Sequence, residues 1–414
     1  MARSEHESLW TTMAPAVWPD APPEMTVTTL TGIEACPRRW ALGAADYPTL
    51  WTGRGYPPRV QLSALAGTVV HLALEVITKR LVWAGCPSVQ DPLAVKVMKG
   101  LGGHTRVVNE CIDRVIEGLT ENPRGRRLLE FAARWLRAQV PELRTRVQTI
   151  LSGLGLPQVA VPRTGDHTSH VRGPLTTGVF PEIELRARQI GWKGKVDLLL
   201  LSPGASEITD FKTGEPSDAH RFQIQVYALL WSRDAELNPE GRRANRLVLA
   251  YSSGDAEVPA LTDAELDALE REIVTRREAA RQAVSRQPPE ARPDPDSCLH
   301  CGVRQLCNEY WTPQTQRLMA NEARDRRFGD IEVTISSRRG ASSWDAIVEC
   351  SSIVKRGQPI LLRADNPTFA FYAGQRVRLI SVHLSVPDEQ AWESEQPAVI
   401  GTMGAGSEAF IVSR

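Results

Sequence analysis

Apolar residues recur at helical spacing in the first half of the chain and at strand spacing in most of the second half. From Leu62 to Trp83 they recur every three or four residues, which predicts one long helix. The same period continues from residue 95 to residue 151, with breaks at Gly102-Gly103 and at Pro123. The pattern therefore predicts a helical region ahead of the first strands.

Strand patterns follow this helical region. Residues 180–188 alternate between apolar and charged side chains, as a half-buried strand does. Two further apolar runs, Val196–Leu200 and Glu207–Lys212, are separated by a turn-like Ser-Pro-Gly-Ala segment, which predicts a β-hairpin. A helix is expected over residues 219–233, and a strand and a long charged helix after it.

The pattern changes again after Phe328, where short apolar runs alternate with turn residues. Six strands are expected there: Ile331–Ile335, Ala346–Glu349, Pro359–Ala364, Arg376–Val382, Ala398–Gly401 and Ala409–Val412. This spacing predicts a separate small β-barrel of OB-like type over residues 328–414. Residues 1–25 are rich in proline, and we expect them to be flexible.

Composition narrows the class of protein. A chain of 414 residues predicts two or three domains. Its 49 basic and 49 acidic residues cancel, so the chain has no net positive charge that would attract nucleic acid. No apolar run reaches 18 residues and no signal pattern opens the chain, so we expect a cytoplasmic protein without a membrane segment. Seven cysteines in such a compartment are expected to be thiols or ligands. No phosphate-binding loop of an ATP motor is present.

The predicted hairpin carries the candidate chemistry. Asp197 lies in its first strand, and Asp210 and Lys212 lie in its second, on one strand face because side chains alternate. Two carboxylates and a substrate phosphate can hold Mg²⁺, and the lysine can orient an attacking water. The alternative for this spacing is a surface ion pair.

The helix after the hairpin adds two polar residues. Gln223 and Tyr227 are four residues apart, so they share a helix face and can point at one ligand. Packing of a half-buried tyrosine is the alternative for Tyr227.

Together these motifs resemble the PD-(D/E)XK nuclease superfamily, in its RecB/AddB and Cas4-like branch. The matching stretches are Gly67-x3-His71, Gly194-Lys195-Val196-Asp197, Asp210-Phe211-Lys212-Thr213-Gly214 and Gln223-x3-Tyr227. The resemblance implies an α/β fold in which helices flank a mixed sheet, spanning residues 26–327, with a helical insertion at residues 85–175.

The resemblance also assigns roles to residues. It implies that His71, Asp197 and Asp210, with the Phe211 carbonyl, bind a divalent metal, Mg²⁺ or Mn²⁺. It makes Lys212 the catalytic lysine, with Asp197 and Asp210 also catalytic. Gln223 and Tyr227 would support the active site and the DNA strand. A core histidine is the alternative for His71 taken alone.

A cysteine-rich loop at residues 298–307 forms a second candidate site. Cys298, Cys301 and Cys307 supply three thiolates, and Cys36 is the best candidate for the fourth. Four thiolates suit either zinc or a [4Fe–4S] cluster, and spacing does not decide between them. The resemblance implies the iron–sulfur cluster, with zinc as the alternative.

Two further regions carry open alternatives. Seven arginines interleaved with aromatic residues form either a phosphate-tracking surface or a solvated helix face: Arg124, Arg126, Arg127, Arg134, Arg137, Arg144 and Arg146. In the C-terminal region, aromatics next to arginines suit either a platform for single-stranded bases or a packing or protein-binding module: Trp344, Phe369, Phe371 and Tyr372.

The expected function is that of a metal-dependent deoxyribonuclease that hydrolyses phosphodiester bonds of single-stranded DNA or DNA ends in repair, recombination or antiviral defence. The rival from another class is a catalytically inactive DNA-binding or assembly subunit of a larger complex. A zinc-stapled regulator is a second rival. Because a motor motif is missing, we expect a helicase or defence-complex partner on another chain.

Overall fold

The chain was analysed as a computed structural model, which describes residues 10–51, 53–154, 172–322, 327–365, 369–385 and 399–412. The helices in these ranges are α1 (Val27–Ala35), α2 (Pro37–Ala44), α3 (Leu62–Trp83), α4 (Pro92–Gly100), α5 (Gly103–Glu121), α6 (Leu129–Ala138), α7 (Val140–Ser152), α8 (Asp218–Arg233), α9 (Asp263–Ser285), α10 (Pro295–Leu299) and α11 (Pro313–Glu322). The strands are β1 (Trp10–Thr12), β2 (Gly178–Ala187), β3 (Trp192–Ser202), β4 (Ala205–Lys212), β5 (Arg246–Tyr251), β6 (Gly254–Val258), β7 (Phe328–Gly340), β8 (Ser343–Ser351), β9 (Pro359–Ala364), β10 (Arg376–Ser385), β11 (Val399–Met403) and β12 (Glu408–Val412).

The chain divides into two compact units, each assembled from separate stretches of sequence. The sheet unit comprises Ala21–Thr31 and Val60–Gln282. The barrel unit comprises Met1–Asp20, Gly32–Arg59 and Ala283–Arg414. The sequence analysis expected the division at residues 327 and 328. In the structure the cysteine-rich loop instead belongs to the same unit as the C-terminal strands.

The sheet unit is built on a mixed sheet of five strands in the order β2-β3-β4-β5-β6. Only β4 and β5 run parallel among these strands, and the connection between them is α8. The hairpin of β3 and β4 was predicted from the apolar runs and is confirmed. Phe211 of β4 packs in one cluster with α3, whereas the neighbouring Lys212 bonds to a side chain of α8, so helices cover both faces.

Helix α3 begins at Leu62 and ends at Trp83, as the apolar period predicted. By length and composition it could cross a membrane, although the 18-residue test applied to the bare sequence predicted no such segment. Within the sheet unit, its apolar residues pack with those of α5, α7 and the sheet in one buried cluster. A core helix has this combination of composition and burial.

The barrel unit contains a closed ring of five strands, in the order β7-β8-β9-β11-β10 and back to β7. The pair β9–β11 is parallel, and the other pairs of the ring are antiparallel. Strand β12 extends the sheet from β10, and β1 joins β12 in parallel. All six strands predicted after Phe328 are present. Trp10–Thr12, expected to be flexible, supplies β1, a strand too short for its pattern to be recognised.

Candidate active site

The residues of the four sequence motifs come together in the sheet unit. Asp197 lies in β3 and Asp210 in β4, beyond the last pair of the hairpin ladder, which is Leu198 with Thr209. Continuing that register places the two aspartates opposite each other. Asp210 is buried and Asp197 is half-buried.

Lys212 is held by two partners. Its Nζ atom lies 2.5 Å from Asp210 Oδ2 and donates to Gln223 Oε1 at 2.7 Å. Gln223 Nε2 in turn donates to the Tyr227 hydroxyl at 2.6 Å. The spacing of Gln223 and Tyr227 predicts that both point at one ligand; in the structure Gln223 contacts the lysine and Tyr227 contacts Gln223. The contacts with Asp210 and Gln223 fix the direction in which the Lys212 side chain points.

The two aspartates have different partners. Asp197 Oδ2 accepts the backbone N–H of Phe211 at 2.5 Å. Burial, and then the charge of Asp210, raise the pKa of Asp197 well above its usual range. Asp210 Oδ2 is buried, and its partner is the Lys212 ammonium, 2.5 Å away. A buried carboxylate oxygen that already faces a positive charge is suited to a metal cation.

His71 reaches the same site from α3. Burial lowers the pKa of His71, Asp210 opposes that effect, and the Lys212 ammonium adds to it. The imidazole is therefore neutral near pH 7, which is the form that ligates a metal. Gly67, one turn before His71 on α3, lies against Thr213, so this part of the helix approaches the end of β4.

Two motif glycines permit close approaches that a side chain would block. A Cβ on Gly194 would lie 2.7 Å from Tyr227 Cε1 and 3.0 Å from Leu230 Cδ1. A Cβ on Gly67 would lie 3.0 Å from Thr213 Oγ1, in the loop that follows Lys212. Because Gly194 has no side chain, Tyr227 can pack directly on β3. Because Gly67 has none, α3 can approach the end of β4.

Glu182 is a site residue that the strand pattern does not reveal. The alternation places it on the charged face of a strand, and the β2–β3 register brings it opposite Asp197. Glu182 has φ 58°, pairs with Lys195, and contributes to raising the pKa of Asp197 and of Tyr227. Only the pairing of β2 with β3, which the local pattern does not encode, could have identified it.

The four predicted cysteine ligands meet in the barrel unit. Cys36, Cys298, Cys301 and Cys307 line one small cavity. Cys36 Sγ accepts the backbone N–H of Arg39 at 3.4 Å. Burial raises the pKa of Cys298, that of Cys301 to about 11 and that of Cys307 to about 12. The four sulfur atoms are thus brought to one place in the barrel unit.

Neither site is arranged as a finished metal centre. Across the ranges that the structure describes, no group of three or more His, Cys, Asp or Glu side chains could hold a metal ion as arranged here. In the active site, the Lys212 ammonium and the Phe211 N–H occupy carboxylate oxygens instead. The donor types still suit their expected partners: oxygen and imidazole for a divalent cation, and thiols for iron or zinc.

The C-terminal aromatic residues and the arginine-rich segment are the two regions for which the sequence leaves two interpretations. Trp344, Phe369 and Phe371 are buried in the barrel core, whereas Tyr372 is 67% exposed. Packing therefore accounts for three of the four aromatic residues.

In the arginine-rich segment, several guanidinium groups have acidic partners. Arg137 pairs with Asp113 at 3.1 Å and Arg146 with Glu142 at 2.5 Å. These contacts favour the solvated helix face, and a phosphate-tracking role for the segment stays a hypothesis.

Comparison with models of known protein families identifies the chain's family. A family model described as the PD-(D/E)XK nuclease superfamily matches residues 24–308, which include every residue of the site above. No curated protein matches the chain significantly.

Proposed function

The chain belongs to the PD-(D/E)XK nuclease superfamily, and on this premise we propose that it is a metal-dependent deoxyribonuclease. It hydrolyses phosphodiester bonds and acts on single-stranded DNA or on DNA ends. The observation that carries this proposal is the placement of Lys212 between the buried Asp210 and Gln223. A subunit without catalysis has no use for a lysine fixed at that point.

The divalent cation, Mg²⁺ or Mn²⁺, would be held by His71, Asp197, Asp210 and the Phe211 carbonyl. The buried Asp210 Oδ2, which faces the Lys212 ammonium, and the repulsion that Asp210 exerts on ionised Asp197 fit a site that gains a cation. When bound, such an ion supplies an activated water and offsets charge on the phosphate oxygens.

The protein's own groups have separate tasks. Lys212 orients the attacking water and offsets the negative charge that develops on the phosphate. Gln223 keeps the ammonium in place through the 2.7 Å bond, and Tyr227 fixes the Gln223 amide. The neutral His71 imidazole presents a lone pair rather than a proton to the site.

A nuclease assay on a long single strand with Mn²⁺ tests the proposal. Asp210→Asn and Lys212→Ala are each expected to reduce cleavage by about 10²-fold or more, as loss of a preorganised charged group does. Asp263→Asn is the matched control, because that side chain is 82% exposed on α9. Equal product release by wild type and Asp210→Asn would contradict the catalytic assignment.

The form of the DNA then separates the modes of action. A circular single strand that is cut as fast as its linear form shows that no free end is needed. If none of the substrates is cut while the strand is still bound, the inactive DNA-binding subunit is the correct alternative.

We also propose that the four cysteines of the barrel unit hold a [4Fe–4S] cluster. Their position around one cavity supports a shared ligand, and thiolates suit iron as well as zinc. Iron analysis and a visible absorption band are expected from anaerobically purified protein. A colourless protein that contains zinc would contradict the cluster.

The barrel is proposed to be OB-like. The closed order β7-β8-β9-β11-β10, with its parallel β9–β11 pair, supports this assignment. A helicase or defence complex on another chain remains the proposed partner, and activity of the single polypeptide on duplex DNA would count against it.

A further inference from the structure

A histidine–tyrosine pair outside the family motifs lies next to the catalytic lysine. His220 is in the first turn of α8, three residues before Gln223 and on the same helix face. Tyr251 ends β5 and is the direct partner of Lys212 in the parallel β4–β5 ladder. Tyr251 therefore lies next to Lys212, and His220 is near both.

The pair is joined by a hydrogen bond that fixes the imidazole. His220 Nδ1 lies 3.0 Å from the Tyr251 hydroxyl, and the two ring centroids are 5.8 Å apart. Tyr251 is buried in the sheet, whereas His220 is half-buried at the surface of the site. The tyrosine is thus the anchor, and the imidazole is the group that a ligand can reach.

The hydrogen bond to Tyr251 bears on which ring nitrogen of His220 carries the proton. Burial, and then the charge of Asp210, raise the pKa of the Tyr251 hydroxyl, so the phenol keeps its proton near pH 7 and can donate it to His220 Nδ1. A neutral imidazole that accepts at Nδ1 carries its proton on Nε2, for which the described residues provide no acceptor.

The ring is neutral near pH 7. Burial lowers the pKa of His220, the Lys212 ammonium lowers it further, and Asp210 acts in the opposite direction. The ring is held near the catalytic lysine through Tyr251, which is the ladder partner of Lys212 and lies 3.0 Å from His220 Nδ1. A neutral Nε2–H at this place is a hydrogen-bond donor.

We propose that His220 Nε2–H donates a hydrogen bond to a backbone phosphate of the bound DNA strand, next to the phosphate that is cut. Tyr251 is a positioning residue that acts through His220. This inference rests on the proposed nuclease function and adds a substrate contact to it. The ligand is identified by chemistry, because phosphate oxygens are the acceptors that a DNA strand presents most densely.

Three substitutions at His220 separate this role from a structural one. His220→Gln places an amide donor near the position of Nε2, His220→Asn places one near Nδ1, and His220→Ala removes both. Binding of a short single strand is measured by fluorescence anisotropy with Ca²⁺ at fixed salt, because affinity for DNA depends on salt. The alanine and asparagine variants are expected to bind about 10-fold more weakly, as loss of one hydrogen bond to a charged group predicts, while the glutamine variant retains binding.

The contacted phosphate is identified by replacing the phosphates of the strand, one linkage at a time, with neutral methylphosphonates. At one particular linkage the replacement is expected to weaken binding to wild type and to leave binding to His220→Ala unchanged. Tyr251→Phe is expected to weaken wild-type binding and to add nothing to His220→Ala. If every linkage keeps its effect in His220→Ala, or if that variant binds like wild type, the proposal is wrong.

Failure of the nuclease function gives a different result. In that case wild type shows no metal-dependent cleavage that Asp210→Asn abolishes, yet the binding arm still reports on His220. A purely structural role also has its own signature, because His220→Ala would then unfold at lower urea concentration and keep the full methylphosphonate pattern. Either pattern of binding decides the contact independently of cleavage.

Discussion

Substitution of Gly194 by alanine is the sharpest test of how the site is built. This glycine lies in β3, three residues before Asp197, and faces the ring of Tyr227. Adding one methyl group changes neither charge nor polarity. Any loss must therefore come from the space that Tyr227 and Leu230 occupy.

The magnitude follows from the distances. The new Cβ would lie 2.7 Å from Tyr227 Cε1 and 3.0 Å from both Tyr227 Cδ1 and Leu230 Cδ1, well inside van der Waals contact. Both neighbours are buried, so neither ring nor methyl can simply turn into solvent. Overpacking of this kind costs about 1–3 kcal/mol in the free energy of unfolding. Movement of Tyr227 also breaks its 2.6 Å bond from Gln223, so Lys212 loses its fixed direction.

The assay combines urea unfolding, followed by circular dichroism, with cleavage of a single strand. Gly194→Ala should lose about 1–3 kcal/mol of stability and should also cleave more slowly at saturating substrate. Gly118→Ala is the matched control: its Cβ meets nothing within 4 Å in helix α5. That substitution should stabilise the protein by about 0.5–1 kcal/mol.

The reasoning would be refuted by a Gly194→Ala variant that unfolds within about 0.5 kcal/mol of wild type. It would also be refuted if stability fell but cleavage at saturation did not change. In the first case Tyr227 would not be packed on β3, and in the second its position would not govern the lysine.

Three other predictions concern single side chains. Burial opposes ionisation of Asp330, but the Arg304 guanidinium holds the pKa of this carboxyl below the usual range. Ionised Asp330 therefore stabilises the fold fully above about pH 4, and this stabilisation is lost as pH falls through the folded-state pKa. Asp330→Asn should cost about 3–5 kcal/mol in the free energy of unfolding and flatten its dependence on pH, measured by urea unfolding from pH 7 to pH 2. Gln223→Ala should reduce kcat by about 10-fold with little change in KM, since it removes the acceptor of the catalytic lysine, and a change confined to KM in steady-state assays would argue against that role. Trp344→Ala should destabilise the barrel by about 3–5 kcal/mol, whereas Tyr372→Ala should stay within about 0.5 kcal/mol, and equal urea midpoints for the two variants would contradict the assignment of Trp344 to the core.

Local patterns were sufficient for the elements and for most of the active site. The helix Leu62–Trp83 and the hairpin of β3 and β4 were predicted because their periods are set by neighbours three, four or two residues apart. The same locality places Asp210 beside Lys212, and Gln223 beside Tyr227. Joining His71 to this group needed the family resemblance, since no local rule connects residues so far apart in sequence.

What the sequence by itself determined is therefore the set of elements and the chemistry that each one carries. Tertiary structure alone decided which elements meet. It brought Glu182 opposite Asp197 through strand register, set Tyr251 beside Lys212 in a parallel ladder, and grouped the cysteines with the barrel. The physical reason is that register and packing depend on contacts between segments that are distant in sequence. The entropy lost in bringing these segments together is offset only by the contacts that form when the whole unit folds.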